Sequence, residues 1–168
     1  NSEGTIIKIP RYEQIRQTSL DLSFVSGQWL WKGESLYRSS QGNGDYFAWT
    51  GGFEYTLARI WNSQMDLGLI GEWMFDTRGD NANTPFENDL AGGLRLSLND
   101  AASTEALFSW TQDINSQARY LFLEARRRLG EHLLLTTEFR AFINQPSEDF
   151  LFEQRADEIM SIELAYYF

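Results

Sequence analysis

Charged side chains in this sequence fall on alternate positions through one long segment after another. From His132 to Ile143, Leu133, Leu135, Thr137, Phe139, Ala141 and Ile143 alternate with Leu134, Thr136, Glu138, Arg140 and Phe142, so Glu138 and Arg140 share one side. Successive side chains of an extended strand point to opposite faces, and a period of two reads as a β-strand with one polar and one apolar face. Gln117 to Leu129 repeats it, with Glu124, Arg126 and Arg128 opposite Leu121, Leu123 and Ala125. Glu105 opposes Phe108 and Trp110, and Arg95 opposes Leu90, Leu94 and Leu96. Asp66 and Glu72 oppose Leu67, Leu69, Trp73 and Phe75, while Glu54 opposes Phe47, Trp49, Phe53 and Tyr55. Nearer the start, Lys32, Glu34 and Arg38 oppose Trp29, Trp31 and Tyr37, and Asp21 opposes Leu20, Leu22 and Phe24.

Alternation alone is also the mark of a soluble sandwich or barrel, which buries its apolar face. Length separates the two. Most of these segments approach the roughly 9 to 11 residues that cross a bilayer at a tilt, against about 5 to 6 for an average globular strand. The chain then ends on Ser161 to Phe168, where Ile162, Leu164, Tyr166 and Phe168 alternate with Glu163 up to a terminal aromatic. Such an ending resembles the assembly signal of bacterial outer-membrane proteins, carried here by Leu164, Tyr166 and Phe168. The expectation is an all-β, antiparallel transmembrane β-barrel in the bacterial outer membrane.

Composition agrees with that class and excludes others. No stretch approaches the roughly 18 to 20 apolar residues of a spanning helix, yet aromatics reach 15%, with six Trp, seven Tyr and twelve Phe. Aromatic girdles at the two membrane interfaces account for such an excess. A net charge of −10 argues against nucleic-acid binding, which needs a basic face. Absence of Cys excludes disulfides and thiolate metal sites. No signal-peptide pattern is present and Asn1 is not an initiator Met, which reads as a mature or excised polypeptide.

Loops set the orientation. Short connections fall at Ser26-Gly27, Trp61 to Gln64, Asn99 to Ser103 and Gly130-Glu131, and longer or more polar ones at Gln41 to Gly44, Arg78 to Glu87 and Asn144 to Asp157. Asn115-Ser116 is a brief exception on the long-loop side. Outer-membrane barrels keep short turns in the periplasm and long loops outside, so the last strand runs inward. Nine strands are counted back over residues 14–168, which places the start of the first strand outside. Even strand numbers are the rule. Residues 1–13 are therefore read as an outer segment, and the barrel as part of a larger one. A short tenth strand from Thr5 to Ile9 is the alternative, disfavoured by its length and by Pro10.

Four blocks, Trp29-Leu30-Trp31-Lys32, Gly51 to Thr56, Pro85 to Asp89 and Glu124 to Gly130, occur in this order. They resemble the C-terminal region of a poorly characterised family of Gram-negative outer-membrane porin-like barrels, from about Tyr12 onward. The resemblance implies fold and location, and family members longer than this chain. It implies no catalytic residues.

Function is sought in the lumen. Lys32, Glu34, Arg38, Glu54, Asp66, Glu72, Arg95, Glu105, Glu124, Arg126, Arg128, Glu138, Arg140 and Glu163 all fall on the polar face. Rings of charge tune which ions or solutes pass a pore. A bland reading pairs Glu124, Arg126, Glu138, Arg140 and Glu163 with one another across adjacent strands. The expected activity is a porin-like channel for small solutes. A filled structural barrel whose outer loops bind a partner is the alternative. An enzyme is disfavoured, because the single His132 adjoins a predicted periplasmic turn. Asp80, Asn81 and Asn83 are compatible with calcium but equally with ordinary turn chemistry, so no cofactor or metal is assigned. Arg127 interrupts the apolar face near its interface, where a charge costs only about 0 to 1 kcal/mol. The Phe150-Leu151-Phe152 cluster in the last outer loop reads as a self-packed loop, an inward constriction, or a contact for lipopolysaccharide or a partner. Expected partners are outer-membrane lipid and lipopolysaccharide, the barrel-assembly machinery, and the remaining strands of a split barrel or another protein.

Overall fold

The structure is a computed structural model that describes residues 12, 14–40, 42, 44–147, 149 and 151–168. Nine strands form one sheet in chain order, each antiparallel to the next. They are β1 (Ile15–Ser26), β2 (Trp29–Ser40), β3 (Tyr46–Leu57), β4 (Asp66–Asp76), β5 (Asn88–Ser97), β6 (Glu105–Asp113), β7 (Arg119–Leu129), β8 (Leu133–Ile143) and β9 (Glu158–Tyr166). No α-helix occurs among the described residues; three single turns of 3-10 helix sit in loops. The sheet is open, with β1 and β9 at its edges. The Thr5 to Ile9 run lies outside the described residues.

Each strand lands within a few residues of its sequence expectation. The largest difference is at the end. β9 starts at Glu158 and stops at Tyr166, so regular pairing does not reach Phe168. Tyr167 N–H still donates to the His132 carbonyl at 2.8 Å, and Phe168 lies beyond, fully exposed. The hairpin expected at Gly130-Glu131 also takes in His132, because Leu129 pairs with Leu133.

Register assigns every residue to a face, because directly opposed residues in a sheet share one. Asp21, Glu34, Thr50, Met74, Asp89 and Asp113 oppose one another in turn from β1 to β6. Lower down, Glu105, Arg126, Thr136 and Glu163 do so from β6 to β9. These belong to the polar face. The other face carries Trp31, Phe53 and Gly71 in one row and Leu94, Phe108, Leu123, Phe139 and Met160 in another. One register therefore holds across the sheet and keeps most of the charges on one side, while Arg16, Arg119, Arg127 and Glu158, near strand ends, fall on the other.

Hairpin chemistry locks that register. Ser26 opposes Trp29 across a two-residue turn with Gly27 at φ 61, where a side chain would be strained. At the same end, connection 58–65 is tied by Arg59 N–H to Asp66 Oδ1 at 2.9 Å and Ile60 N–H to the Met65 carbonyl at 2.9 Å. Connections 58–65 and 98–104 are longer than 114–118 at the opposite end, so the two ends differ less in loop length than expected.

No large side chain among the described residues is fully buried. Apart from Gly68 on β4, the buried residues among those described are Ala82, Ala118 and Ala141 together with the polar Asp76, Asp89, Thr111, Asp113 and Gln145. They gather where loops 77–87 and 144–157 meet the ends of β4 to β8. A sheet whose Trp, Phe and Leu residues stay exposed while carboxylates are buried inverts the usual water-soluble pattern.

Candidate functional site

The apolar face carries aromatic rings at two levels. Near the β1–β2 turn, Trp29 stacks on Trp31 at 5.3 Å and lies 4.6 Å from Tyr55, and Trp31 lies 5.6 Å from Phe53. Near the loop end, Trp73 meets Trp49 edge-on at 5.4 Å and Phe75 at 5.9 Å. Trp29 and Tyr37 mark the two levels on β2. Eight residues of strand between them span about 27 Å, the scale of a membrane barrel's apolar band. Between the levels, Gly51 lies beneath the Trp49 ring and Gly71 beneath that of Phe53. Together with Trp31, Trp73, Leu90 and Trp110 they line a groove of about 580 Å³ on this face.

The polar face carries a row of cavities. One of about 460 Å³ is lined by Asp21, Glu34, Tyr46, Asp76, Arg78 and Phe86. Next to it, about 300 Å³ is enclosed by Lys32, Glu34, Glu54, Glu72 and Arg95 above Gly52. Toward the short-turn end, about 490 Å³ lies among Arg95, Ser97, Glu105, Glu124 and Arg126.

Charge pairing departs from the bland expectation. Arg140 does bond Glu138 on its own strand at 2.8 Å, but Arg126 turns away from Glu124 and bonds Glu105 at 2.6 Å. Glu124 directly opposes Glu138, and Glu163 opposes Thr136. Arg95 reaches over β4 to Glu54 at 2.8 Å, a path kept clear by Gly68, whose absent Cβ would sit 3.0 Å from Glu54 Oε1. Arg38 forks onto Gln17 Oε1 at 2.9 and 2.6 Å. Asp66 is a turn residue, accepting from Arg59 N–H and from Asn99 Nδ2 at 2.9 Å. Lys32, Glu34, Glu72, Glu124, Arg128 and Glu163 make no ion pair with a described residue.

Sequence reasoning passed over the roof of this face. Asp76, nearly buried at the end of β4, accepts from Arg78 Nη2 at 2.5 Å and Nε at 2.9 Å, and the guanidinium stacks 3.7 Å from the Tyr46 ring centroid. Loop 77–87 thereby folds back over the strand ends. From the other side come Gln145, whose Nε2 donates to the Arg119 carbonyl at 2.9 Å, and Leu151. Pro85, Phe86, Gln145, Asp149 and Leu151 close on Asp89, Asp113 and Tyr120 around a space of only about 10 Å³. Leu151 of the apolar loop cluster thus turns toward the sheet, while Phe152 lies under the Arg155 guanidinium at 3.9 Å. Phe150 lies outside the described residues. The available signal was an acidic residue at or near the loop end of successive strands: Asp76, Asp89 and Asp113.

His132 stands at the short-turn end, its Nδ1 3.0 Å from the Tyr167 carbonyl and its ring 5.7 Å from that of Tyr166. Asp80 and Asn81 share one 3-10 turn.

Comparison with known proteins finds no family model, no curated protein and no solved structure that matches this chain.

Proposed function

We propose that this chain forms the wall of an outer-membrane barrel that acts as a porin-like channel for small solutes or ions. The observation that carries the reading is the bias of the two faces through all nine strands: most ionised side chains and a row of three cavities lie on one, and most exposed large apolar residues, with an aromatic-lined groove, on the other. Edge strands cannot remain unpaired in hydrocarbon. The resemblance to porin-like barrels supports a closed assembly that includes further strands, and lipid, lipopolysaccharide and the assembly machinery are its proposed partners. Leu164, Tyr166 and Phe168 are proposed as the recognition end.

Single-channel current across a planar bilayer tests the activity. Stepwise conductance from folded protein is expected, and correctly folded protein that passes no current overturns the channel. Bilayer placement is tested separately by Leu94→Arg, midway along the apolar face of β5. Facing lipid, the arginine costs about 2–4 kcal/mol; facing water, this exposed site tolerates it with little change, which would sink the placement.

The filled-barrel reading has one specific observation in its favour: where Pro85 and Phe86 meet Gln145, Asp149 and Leu151 over Asp89 and Asp113, almost no space is left against the polar face. In that reading the same protein folds in bilayers but stays silent in current recordings.

A further inference from the structure

The two loops meet over a set of carboxylates that has few donors. Asp80 and Glu87 come from loop 77–87 and Asp149 from loop 144–157, above Asp89 of β5 and Asp113 of β6. Asp89 is 3% exposed and Asp113 8%. Asp113 is served by Asn115 N–H at 2.6 Å and the Ser116 hydroxyl. Asp149 takes Leu151 N–H at 2.6 Å, whereas among the described residues Asp89 has only Asn88 N–H at 3.2 Å. Glu87 takes its own backbone N–H, and no side chain of a described residue donates to it.

The described cations nearest these acids are bonded elsewhere. Arg78 is bonded to Asp76, Arg119 Nε donates to Gln112 Oε1 at 2.7 Å, and Arg155 donates to the Phe152 carbonyl at 2.9 Å. Arg140 on β8 is bonded to Glu138. Tyr120 of β7 lines the cluster as a neutral phenol. Gln145 adds an acceptor: it is 7% exposed, its Nε2 is spent on the Arg119 carbonyl, and its Oε1 has no partner among the described residues. Acceptors packed without donors or counter-cations are stabilised when some of the acids carry a proton, since a neutral carboxyl removes repulsion and supplies an O–H.

We propose that loops 77–87 and 144–157 form a proton-operated cover, held against the polar face while the carboxylate cluster is protonated and released as it ionises. Burial first, and then the nearby charges of Asp113, Asp149 and Asp80, raises the Glu87 pKa above the ordinary carboxylate value. Burial first, and then Asp113 and Asp80, does the same for Asp149. Each acid holds its proton more tightly in the covered form than in a released, solvated loop. The covered form is therefore fully favoured below the ordinary carboxylate pKa and loses ground as pH climbs through the raised one. Loop 77–87 is also anchored at its base, by Asp76 N–H donating to the Glu87 carbonyl at 2.8 Å and by the Arg78–Asp76 pair, and release concerns the part of the loop beyond these anchors. Release on this account uncovers the 460 Å³ cavity that Phe86 helps to line.

Amide hydrogen exchange of the full chain folded in detergent micelles tests this at about pH 5 and about pH 8, after correction for the intrinsic pH dependence of exchange. Both loops should lose protection at the higher pH while β4 to β7 keep theirs. In the titrating window the open fraction grows about tenfold per pH unit for each proton the covered form retains. Glu87→Gln with Asp149→Asn should hold the loops down at both values; if that double variant does not fold, Asp149→Asn alone should shift the transition upward. Equal protection at both pH values, or a folded variant as responsive as the parent, overturns the proposal. The porin-like reading enters only through its consequence. Loop release in folded protein that passes no current at either pH refutes the channel and leaves the cover standing, and stepwise current with unchanged loop exchange does the reverse.

Discussion

Arg78 and Arg38 approach the same Tyr46 ring, at 3.7 and 5.6 Å from its centroid, from two different parts of the molecule. Arg78 belongs to the roofed part. Its carboxylate partner Asp76 is 4% exposed and loop 77–87 lies over both. Arg38 belongs to the margin, where its partner is the neutral Gln17 on β1, a strand exposed along its whole length. Both parts have the same alternating sequence and the same antiparallel pairing. The difference shows that patterning makes the sheet, while carboxylates are buried where loops return to cover it. An ion pair gains weight when its partner has lost water, and an exposed one is nearly neutral in stability.

That contrast is open to direct attack. Arg78→Met should be the most damaging change, because it leaves the Asp76 carboxylate buried without its partner; a loss of about 2–3 kcal/mol is expected. The midpoint of denaturant unfolding in micelles reads it, and a loss below that of Arg38→Met would dissolve the distinction between roof and margin. Glycine substitutions probe the same contrast in the backbone. At Gly52 an added Cβ would run into the Gly71 carbonyl and approach Glu72 Cα at 2.9 Å, so neither neighbour yields without moving β4. Gly52→Ala should cost about 1–3 kcal/mol by overpacking, whereas Gly33→Ala on β2 meets nothing within 4 Å and should be neutral or slightly stabilising. Equal unfolding midpoints for the two would mean that β3 and β4 are looser than this packing. Smallest of all is Arg38→Met, with about 0–1 kcal/mol expected; a larger loss would show that β1 is covered in the folded assembly.

Loop chemistry outside the strands follows the same division. Asp45 is held below its ordinary carboxylate value by hydrogen bonds from Ser39 and then Tyr37, the latter at 2.8 Å. Asp100 is lowered by Thr104, whose N–H and hydroxyl both donate at 2.8 Å. Glu87 and Asp149, under the roof, move the other way. Solvated turn carboxylates are surrounded by donors, and covered ones by each other.

The local signals were legible because they are periodic. A strand's face assignment depends on counting by two, and the charges at Glu54, Arg95, Glu105, Arg126 and Glu138 declared the polar face without reference to any neighbour. Tight turns were equally plain at Gly27 and Gly130, which sit at φ 61 and 74. Partner choice was not legible. Glu105 lies 21 positions from Arg126 and Glu54 lies 41 from Arg95, and only the offset between strands decides which charges meet. Of the five residues expected to pair among themselves, Arg140 and Glu138 do so on one strand, whereas Arg126 leaves the set because Glu105 of β6 stands directly opposite it.

By itself, then, the sequence determined an antiparallel sheet of long strands with one charged and one apolar face, since side-chain direction in an extended chain is a local property. Tertiary structure alone decided the ion-pair network, the bridge over Gly68 and the burial of Asp76, Asp89 and Asp113 beneath two loops distant in the chain. Those depend on register and on the path of a returning loop, which no periodicity in the sequence encodes.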